Sequence, residues 1–219
     1  FRRRSLAHIT LELDLLAARQ VRHIAFFDDA LLHKAAEHSK PLLRQIIQKG
    51  YEFAFHTPNG LHISDIDQEM AELMYGSGFQ SIRLSFESAD PARQQNKVNN
   101  EALMRALHHL ERAGFRRSDL GVYLLMGLAD QDAPEVRRSI DFVHGLGARI
   151  YLDSFSPIPG TVDEQRAIEK GWWHRDEELL LANNSIYPIW RKKYDLALCA
   201  EIVNYAREKN NALENQNLD

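Results

Sequence analysis

The sequence is arranged around one stretch, Ser81-Ile82-Arg83-Leu84-Ser85-Phe86-Glu87-Ser88. Apolar residues alternate with polar ones here, and a period of two predicts a β-strand with Glu87 at its carboxyl end. Ligand chemistry in α/β folds collects at the carboxyl ends of strands. Glu87 is therefore the first candidate site residue, and a solvated loop acid is the alternative interpretation of this segment taken alone.

Other apolar runs repeat the pattern, so that strands are predicted at 23–27, 51–55, 81–86, 121–126 and 149–153. Helical patterns separate the runs, and strands this apolar are typical of a parallel sheet buried on both faces. Successive βα units leave an open doubly wound sheet or a barrel, and a helix after every strand favours the barrel. The α/β fold expected is a partial parallel (β/α) TIM-like barrel that lacks its first strand, because the chain opens on a helical pattern.

The pattern changes after Thr161. We predict that residues 1–161 form the partial barrel and that residues 162–219 form a helical C-terminal extension packed on it. The polar tail after Lys209 is expected to fray. Trp172 and Trp173 are interpreted as core or edge cover, with a ligand platform as the alternative.

Composition narrows the class of protein. The chain has 219 residues, 44% hydrophobic and 26% charged, which suits an ordinary globular domain with its own core. A formal charge of −4 gives no general attraction to nucleic acid or to an anionic membrane. The sequence has neither a bilayer-spanning apolar run nor a signal peptide, so a cytoplasmic location is expected. The single cysteine, Cys199, lies in an apolar helical pattern and is predicted to be a buried, inert thiol.

Polar residues follow each predicted strand and would meet on one rim of the sheet. They are Asp28, Asp29, His56, Asn59, Ser85, Glu87, Gly127 and Asp153. Carboxylates gathered in this way need cations or hydrogen-bond donors, which an ammonium group, vicinal hydroxyls or a metal would supply. Gly127 would let the backbone approach a flat ligand, although a simple turn explains it equally well.

Five motifs in the order of the βα units resemble a known family, the radical S-adenosylmethionine enzymes. The resemblance is to the branch that often carries an upstream cobalamin-binding domain, and it covers residues 1–161. The motifs are Phe-Phe-Asp-Asp (26–29), Thr-Pro-Asn-Gly-Leu-His (57–62), Ile-Arg-Leu-Ser-Phe-Glu-Ser (82–88), Tyr-Leu-Leu-Met-Gly-Leu (123–128) and Phe-Ser-Pro-Ile-Pro-Gly-Thr (155–161).

The resemblance implies a set of cofactor-binding residues. Asp28 and Asp29 match the segment that receives the amino group of S-adenosylmethionine. Ser85 and Glu87 match the segment that handles its ribose hydroxyls and carboxylate end, and Asn59 is placed with them on the rim. The remaining matches are the backbone residues against the adenine, Met126, Gly127 and Leu128. Ala129-Asp130 stands where Pro-Gly is common, so we expect the adenine loop to differ in shape.

The family's cluster ligands are three cysteines in a C-x3-C-x2-C loop, and they are absent here. Such a loop holds a [4Fe–4S] cluster whose open iron binds S-adenosylmethionine. The expectation is therefore an N-terminally truncated part of a radical enzyme, inactive by itself, with the cluster ligands and an upstream domain before Phe1. The implied cofactors are S-adenosylmethionine and the cluster, with cobalamin as a further candidate. The substrate is left open, and no residue points to nucleic acid or membrane.

Two alternatives stay open at this point. One is a barrel hydrolase or lyase in which Asp28, Asp29, Glu87, Asp153 and His56 hold a hard divalent metal. The other is a non-catalytic domain that binds a nucleotide-like ligand or a protein partner.

Overall fold

A computed structural model describes residues 3–28, 30–94 and 98–216. The chain divides into two compact units. The first comprises Phe1–Phe86 and Gln95–Gly121, and the second comprises Glu87–Gln94 and Val122–Asp219. The predicted site residue Asp29 lies outside the described residues.

Parallel strands form the sheet of the first unit. In chain order they are β1 (His23–Ala25), β2 (Ala54–His56), β3 (Leu61–His62) and β4 (Phe79–Glu87). The order across the sheet is β1-β2-β4, and the short β3 pairs with β4 in parallel, with Leu61 opposite Leu84. Alternation along β4 is as predicted, because Ile82, Leu84 and Phe86 are buried while Glu87 is exposed.

The first unit contains four α-helices among the described residues, one before β1 and one after each of β1, β3 and β4. They are α1 (Leu6–Ala18), α2 (Ser39–Lys49), α3 (Gln68–Gly76) and α4 (Asn100–Ala113). Their ends carry sequence signals: Asp67 caps α3 by accepting the Met70 N–H at 2.7 Å, and Asn99 caps α4 in the same way. The buried face of α4 packs Leu103, Leu107 and Leu110 into the core. These caps explain where α3 and α4 begin, and the apolar face explains how α4 packs.

The second unit begins with two neighbouring strands, β5 (Leu120–Met126), whose first two residues belong to the first unit, and β6 (Arg149–Ser154). The Phe155 N–H donates to the Met126 carbonyl oxygen at 2.7 Å, which joins the carboxyl ends of both strands and makes them parallel. The helices of this unit are α5 (Ala133–Gly145), α6 (Val162–Glu169), α7 (Trp190–Lys193) and α8 (Leu196–Gln216).

The length of helix α8 differs from the prediction for the C-terminal tail. The tail after Lys209 was expected to fray, but α8 continues to Gln216. Two contacts explain this: Leu213 is buried, and the Asn210 side chain both donates to the Ile150 carbonyl and accepts its N–H, each at 2.8 Å. Cys199 is buried in α8 as predicted, and burial raises the pKa of its thiol.

The mixed α/β class with parallel strands is confirmed. All five predicted strands are present, although β1 is shorter than predicted, β2 begins later and the two-residue β3 was missed. The partial barrel with a missing first strand and the division at residue 161 stay predictions. No helix among the described residues is long and apolar enough to cross a membrane. The cytoplasmic location stays a prediction.

Candidate functional site

The loop after β2 in the first unit lies against the end of β1. The Asn59 side chain donates from Nδ2 to the Phe27 carbonyl oxygen at 2.9 Å, next to Asp28, which is exposed. The structure therefore brings two predicted site residues, Asn59 and Asp28, to neighbouring segments.

Ser85 lies close to the same loop, because Gly60 packs against it. Because β3 pairs with β4, His62 lies opposite Ser85, and a Cβ atom at Gly60 would collide with the Ser85 hydroxyl. Only glycine fits there without a shift. Sequence reasoning did not single out Gly60, although the turn-forming cluster that contains it was visible.

His56 points elsewhere. Its Nδ1 is 2.7 Å from the Ser81 hydroxyl, and its Nε2 is 3.0 Å from Nδ1 of His23, whose ring stacks on it. Among the described residues, no three His, Cys, Asp or Glu side chains are grouped so that they could hold a metal ion. The divalent-metal alternative therefore has no ligand set in the part of the chain that the structure describes.

Glu87 stands at the carboxyl end of β4 with an uncommon backbone. Its φ of 74° lies in the left-handed region, which costs a non-glycine residue on the order of 1–3 kcal/mol. Such strain persists only where the surrounding structure holds it, and it clusters at functional sites. The turn that follows is held to α5, because the Ala89 N–H donates to the Ser139 hydroxyl at 3.0 Å.

Glu87 lines a cavity of about 830 Å³ that lies wholly within the second unit. Asp153, Ser154 and Phe155 at the end of β6 form another part of its wall. A segment from the C-terminal region, residues 179–184, forms the far wall. The Ser154 hydroxyl oxygen is buried and has no hydrogen-bond partner among the described residues.

Gly127 begins the loop between β5 and α5. Its φ of +105° is one that side-chain-bearing residues rarely adopt, and its N–H donates to Oε1 of Gln131 at 2.9 Å. Gln131 is 1% exposed and also donates from Nε2 to the Leu125 carbonyl at 3.0 Å. The buried Gln131 amide thus holds the loop through hydrogen bonds to two backbone groups, the Gly127 N–H and the Leu125 carbonyl. Met126 is fully buried.

An ion pair between Arg93 and Glu135 is connected to this loop through Gln131. Gln131 donates to Oε1 of Glu135 at 3.3 Å, and Arg93 binds both oxygens of Glu135. Arg93 also donates to Asp130 at 2.9 Å. Burial raises the pKa of the Asp130 carboxyl, but the hydrogen bond and the charge of Arg93 together outweigh it, so the pKa is lowered. Asp130, which departs from the family pattern, is therefore one end of an ion-pair network.

Helix α7 also binds the loop between β5 and α5, through two side chains that donate hydrogen bonds to its carbonyl groups. Trp190 is fully buried and donates from Nε1 to the Leu128 carbonyl at 3.2 Å. Lys193 donates to the Gln131 carbonyl at 2.8 Å. Sequence reasoning missed Arg93, Glu135, Trp190 and Lys193, since no local pattern connects these distant positions with the loop.

The fold is of the mixed α/β class with parallel strands. A search of protein-family models gives no match, and a search of curated proteins gives none. Solved structures do match: one is TsrM from Kitasatospora setae with cobalamin and a [4Fe–4S] cluster bound, at a TM-score of 0.59 and 20% identity. The match covers 69% of this chain and 31% of that one.

A second structure of TsrM, with a tryptophan substrate and the analogue aza-SAM bound, matches at a TM-score of 0.59 and 20% identity. It covers 68% of this chain and 30% of that one. The chain thus spans about a third of the length of these enzymes. At this identity the likeness shows a shared fold.

Proposed function

We propose that the chain supplies a binding surface for S-adenosylmethionine in a radical S-adenosylmethionine enzyme. One observation carries the proposal: the cavity of about 830 Å³ where Glu87, in its strained conformation, and Asp153 line the wall. Its volume lies within the usual range for ligand sites. The fold likeness to TsrM supports the same assignment.

The cavity wall suits the groups that this cofactor presents. S-adenosylmethionine carries an ammonium, a sulfonium and two ribose hydroxyls, each of which is attracted to a carboxylate. Glu87 and Asp153 supply carboxylates. Gly127 is buried, with Ser154 and Phe155 atoms 3.5 Å from where its Cβ atom would lie, so its part against an adenine stays a prediction.

In this proposal the Gln131, Glu135 and Arg93 network orients the loop rather than touching the cofactor. A fixed loop loses little conformational freedom when a ligand binds, which favours affinity. Asp28, Asn59 and Ser85 belong to the first unit, and their part in cofactor binding stays a prediction, as does that of Asp29.

The chain's own residues do not fit a [4Fe–4S] cluster. A cluster of this kind takes cysteine thiolates as ligands, and the sequence has one cysteine, Cys199. Its burial raises the pKa of the thiol and disfavours the thiolate form. We therefore propose that cluster ligation and radical initiation depend on residues outside these 219.

Calorimetric titration of S-adenosylmethionine into the chain tests the proposal. Without iron ligation we expect weak binding, with a Kd on the order of 0.1–1 mM. Glu87→Gln should weaken it about tenfold, because the carboxylate is lost at almost constant shape. Glu101→Gln, which removes an exposed acid on α4, is the matched control. Absence of saturable binding, or equal affinity in both variants, would contradict the assignment.

A further inference from the structure

A second cavity of about 370 Å³ lies in the second unit, between the Pro157–Gly160 loop, α6 and the segment that follows α6. Leu179 and Ala182 line both this cavity and the larger one. The two are therefore neighbours that share a wall.

Glu164 gives the second cavity its chemical character. The residue is 7% exposed, and its Oε2 accepts the Gly160 N–H at 2.7 Å. No Lys, Arg or His among the described residues forms an ion pair with it, whereas Asp163 beside it pairs with Arg166 at 3.1 Å. One N–H and the first turn of α6 offset only part of the cost of burying this charge. A cation in the cavity would offset the rest.

Apolar and aromatic groups form the remaining wall. Trp173 is 4% exposed, and Pro157 and Pro159 stand with it around the cavity. The Lys192 ammonium already lies 5.3 Å from the centre of the Trp173 ring, as expected for a ring that attracts cations. The indole is thus both core and cavity wall.

The other charged groups at this cavity are Glu177 and Arg175. Glu177 forms an ion pair with Lys192. Arg175 is exposed and donates to Oε1 of Gln165 at 3.0 Å, so that solvent screens its charge. Glu164 is therefore the charge that a ligand would meet.

We propose that this cavity binds a small organic amine, with its ammonium at Glu164 and an apolar or aromatic body against Trp173 and the two prolines. The volume is near the lower end of the range for small-molecule sites. The site is distinct from the proposed cofactor surface and does not depend on it.

Three probes of similar shape and different charge test the proposal in titrations followed by tryptophan fluorescence and calorimetry. They are 2-phenylethylamine, 2-phenylethanol and 3-phenylpropanoate. We expect saturable binding of the amine, with the alcohol and the acid at least about tenfold weaker, because neither brings a cation to Glu164. No saturable binding of the amine at concentrations on the order of 10 mM, or equal affinity for amine and alcohol, would overturn the proposal.

Glu164→Gln should lower the affinity for 2-phenylethylamine about tenfold, since the glutamine carbonyl still accepts the Gly160 N–H but carries no charge. Glu169→Gln, an exposed acid on the same helix, is the matched control and should leave binding unchanged. Equal loss in both variants would contradict the site. If Glu164→Gln fails to fold, the preference of the unmodified chain for amine over alcohol decides alone.

Discussion

Arg93 and Glu135 form a two-pronged ion pair in the second unit, with Nε and Nη2 of the guanidinium donating to the two carboxylate oxygens. The side chains are 18% and 7% exposed, so the pair is largely removed from water. Breaking a buried pair by removing one partner leaves an uncompensated charge, which is far more costly than replacing both.

Arg93→Met should therefore lower the free energy of unfolding of the second unit by about 3–5 kcal/mol. The double variant Arg93→Met with Glu135→Met should recover most of that loss. Urea unfolding can be followed by tryptophan fluorescence, because all three tryptophans, Trp172, Trp173 and Trp190, belong to this unit. A double variant as unstable as the single one would show that the pair does not act as a unit.

Glu87→Gly should change the stability of the chain and its affinity for S-adenosylmethionine in opposite directions. Glycine adopts the observed φ of 74° without strain, so the variant should be more stable by about 1 kcal/mol while binding S-adenosylmethionine more weakly. The control is Gln20→Gly, at another non-glycine position with a φ of 58°. It should gain stability and keep its affinity. Thermal unfolding and calorimetry give the two quantities, and a Glu87→Gly variant with unchanged affinity would remove Glu87 from the site.

Trp190→Phe tests whether α7 holds the loop between β5 and α5. The variant loses the hydrogen bond to the Leu128 carbonyl, worth about 0.5–1.5 kcal/mol, and should lower cofactor affinity about three- to tenfold. Amide hydrogen exchange should speed up at residues 127–131. Trp172→Phe is the control, and equal effects of both variants on affinity and exchange would argue against a specific role for Trp190.

Acid should weaken the first unit through Lys40, which lies 2.6 Å from a carboxylate oxygen of Asp67 and 2.7 Å from one of Glu69. Burial raises the pKa of Asp67, but the hydrogen bonds from Lys40 and the Met70 N–H, together with the charge of Lys40, outweigh it, so the pKa is lowered. The hydrogen bond from the same lysine is the main cause that lowers the pKa of Glu69. A lowered folded-state pKa gives stability that is present above the ordinary values of 3.8 and 4.5 and is lost below them.

Lys40→Met should therefore destabilise the unit at neutral pH and flatten the loss of stability as the pH falls below the ordinary carboxyl values. Lys34→Met, which changes an exposed lysine, should keep the unmodified pH profile. Circular dichroism during urea unfolding at several pH values measures both. An unchanged acid slope in Lys40→Met would show that the cluster does not control it.

Local patterns in the sequence are sufficient to predict much of the fold. The alternation of Ile82, Leu84 and Phe86 reports burial directly, and Asp67 and Asn99 mark helix starts by chemistry that depends on a few neighbouring residues. The end of α8 was predicted wrongly, because the packing of Leu213 and the bonds of Asn210 are tertiary contacts that override local polarity.

The candidate site could be predicted only in part. Glu87 and Gly127 follow strands and were found by position, but the strain at Glu87 depends on the turn that α5 holds. The network through Arg93 and Glu135 joins positions 42 residues apart in the sequence, and no periodicity reports such a contact.

Amide chemical-shift mapping with S-adenosylmethionine tests the assignment of the cofactor surface most directly. Spectra of the chain should show the largest shifts at Glu87, at residues 125–128 and at residues 153–156, around the cavity of about 830 Å³. The same titration of Glu87→Gln should need about tenfold more ligand for the same shifts. Shifts confined to other parts of the chain, or no saturable shifts at all, would contradict the account.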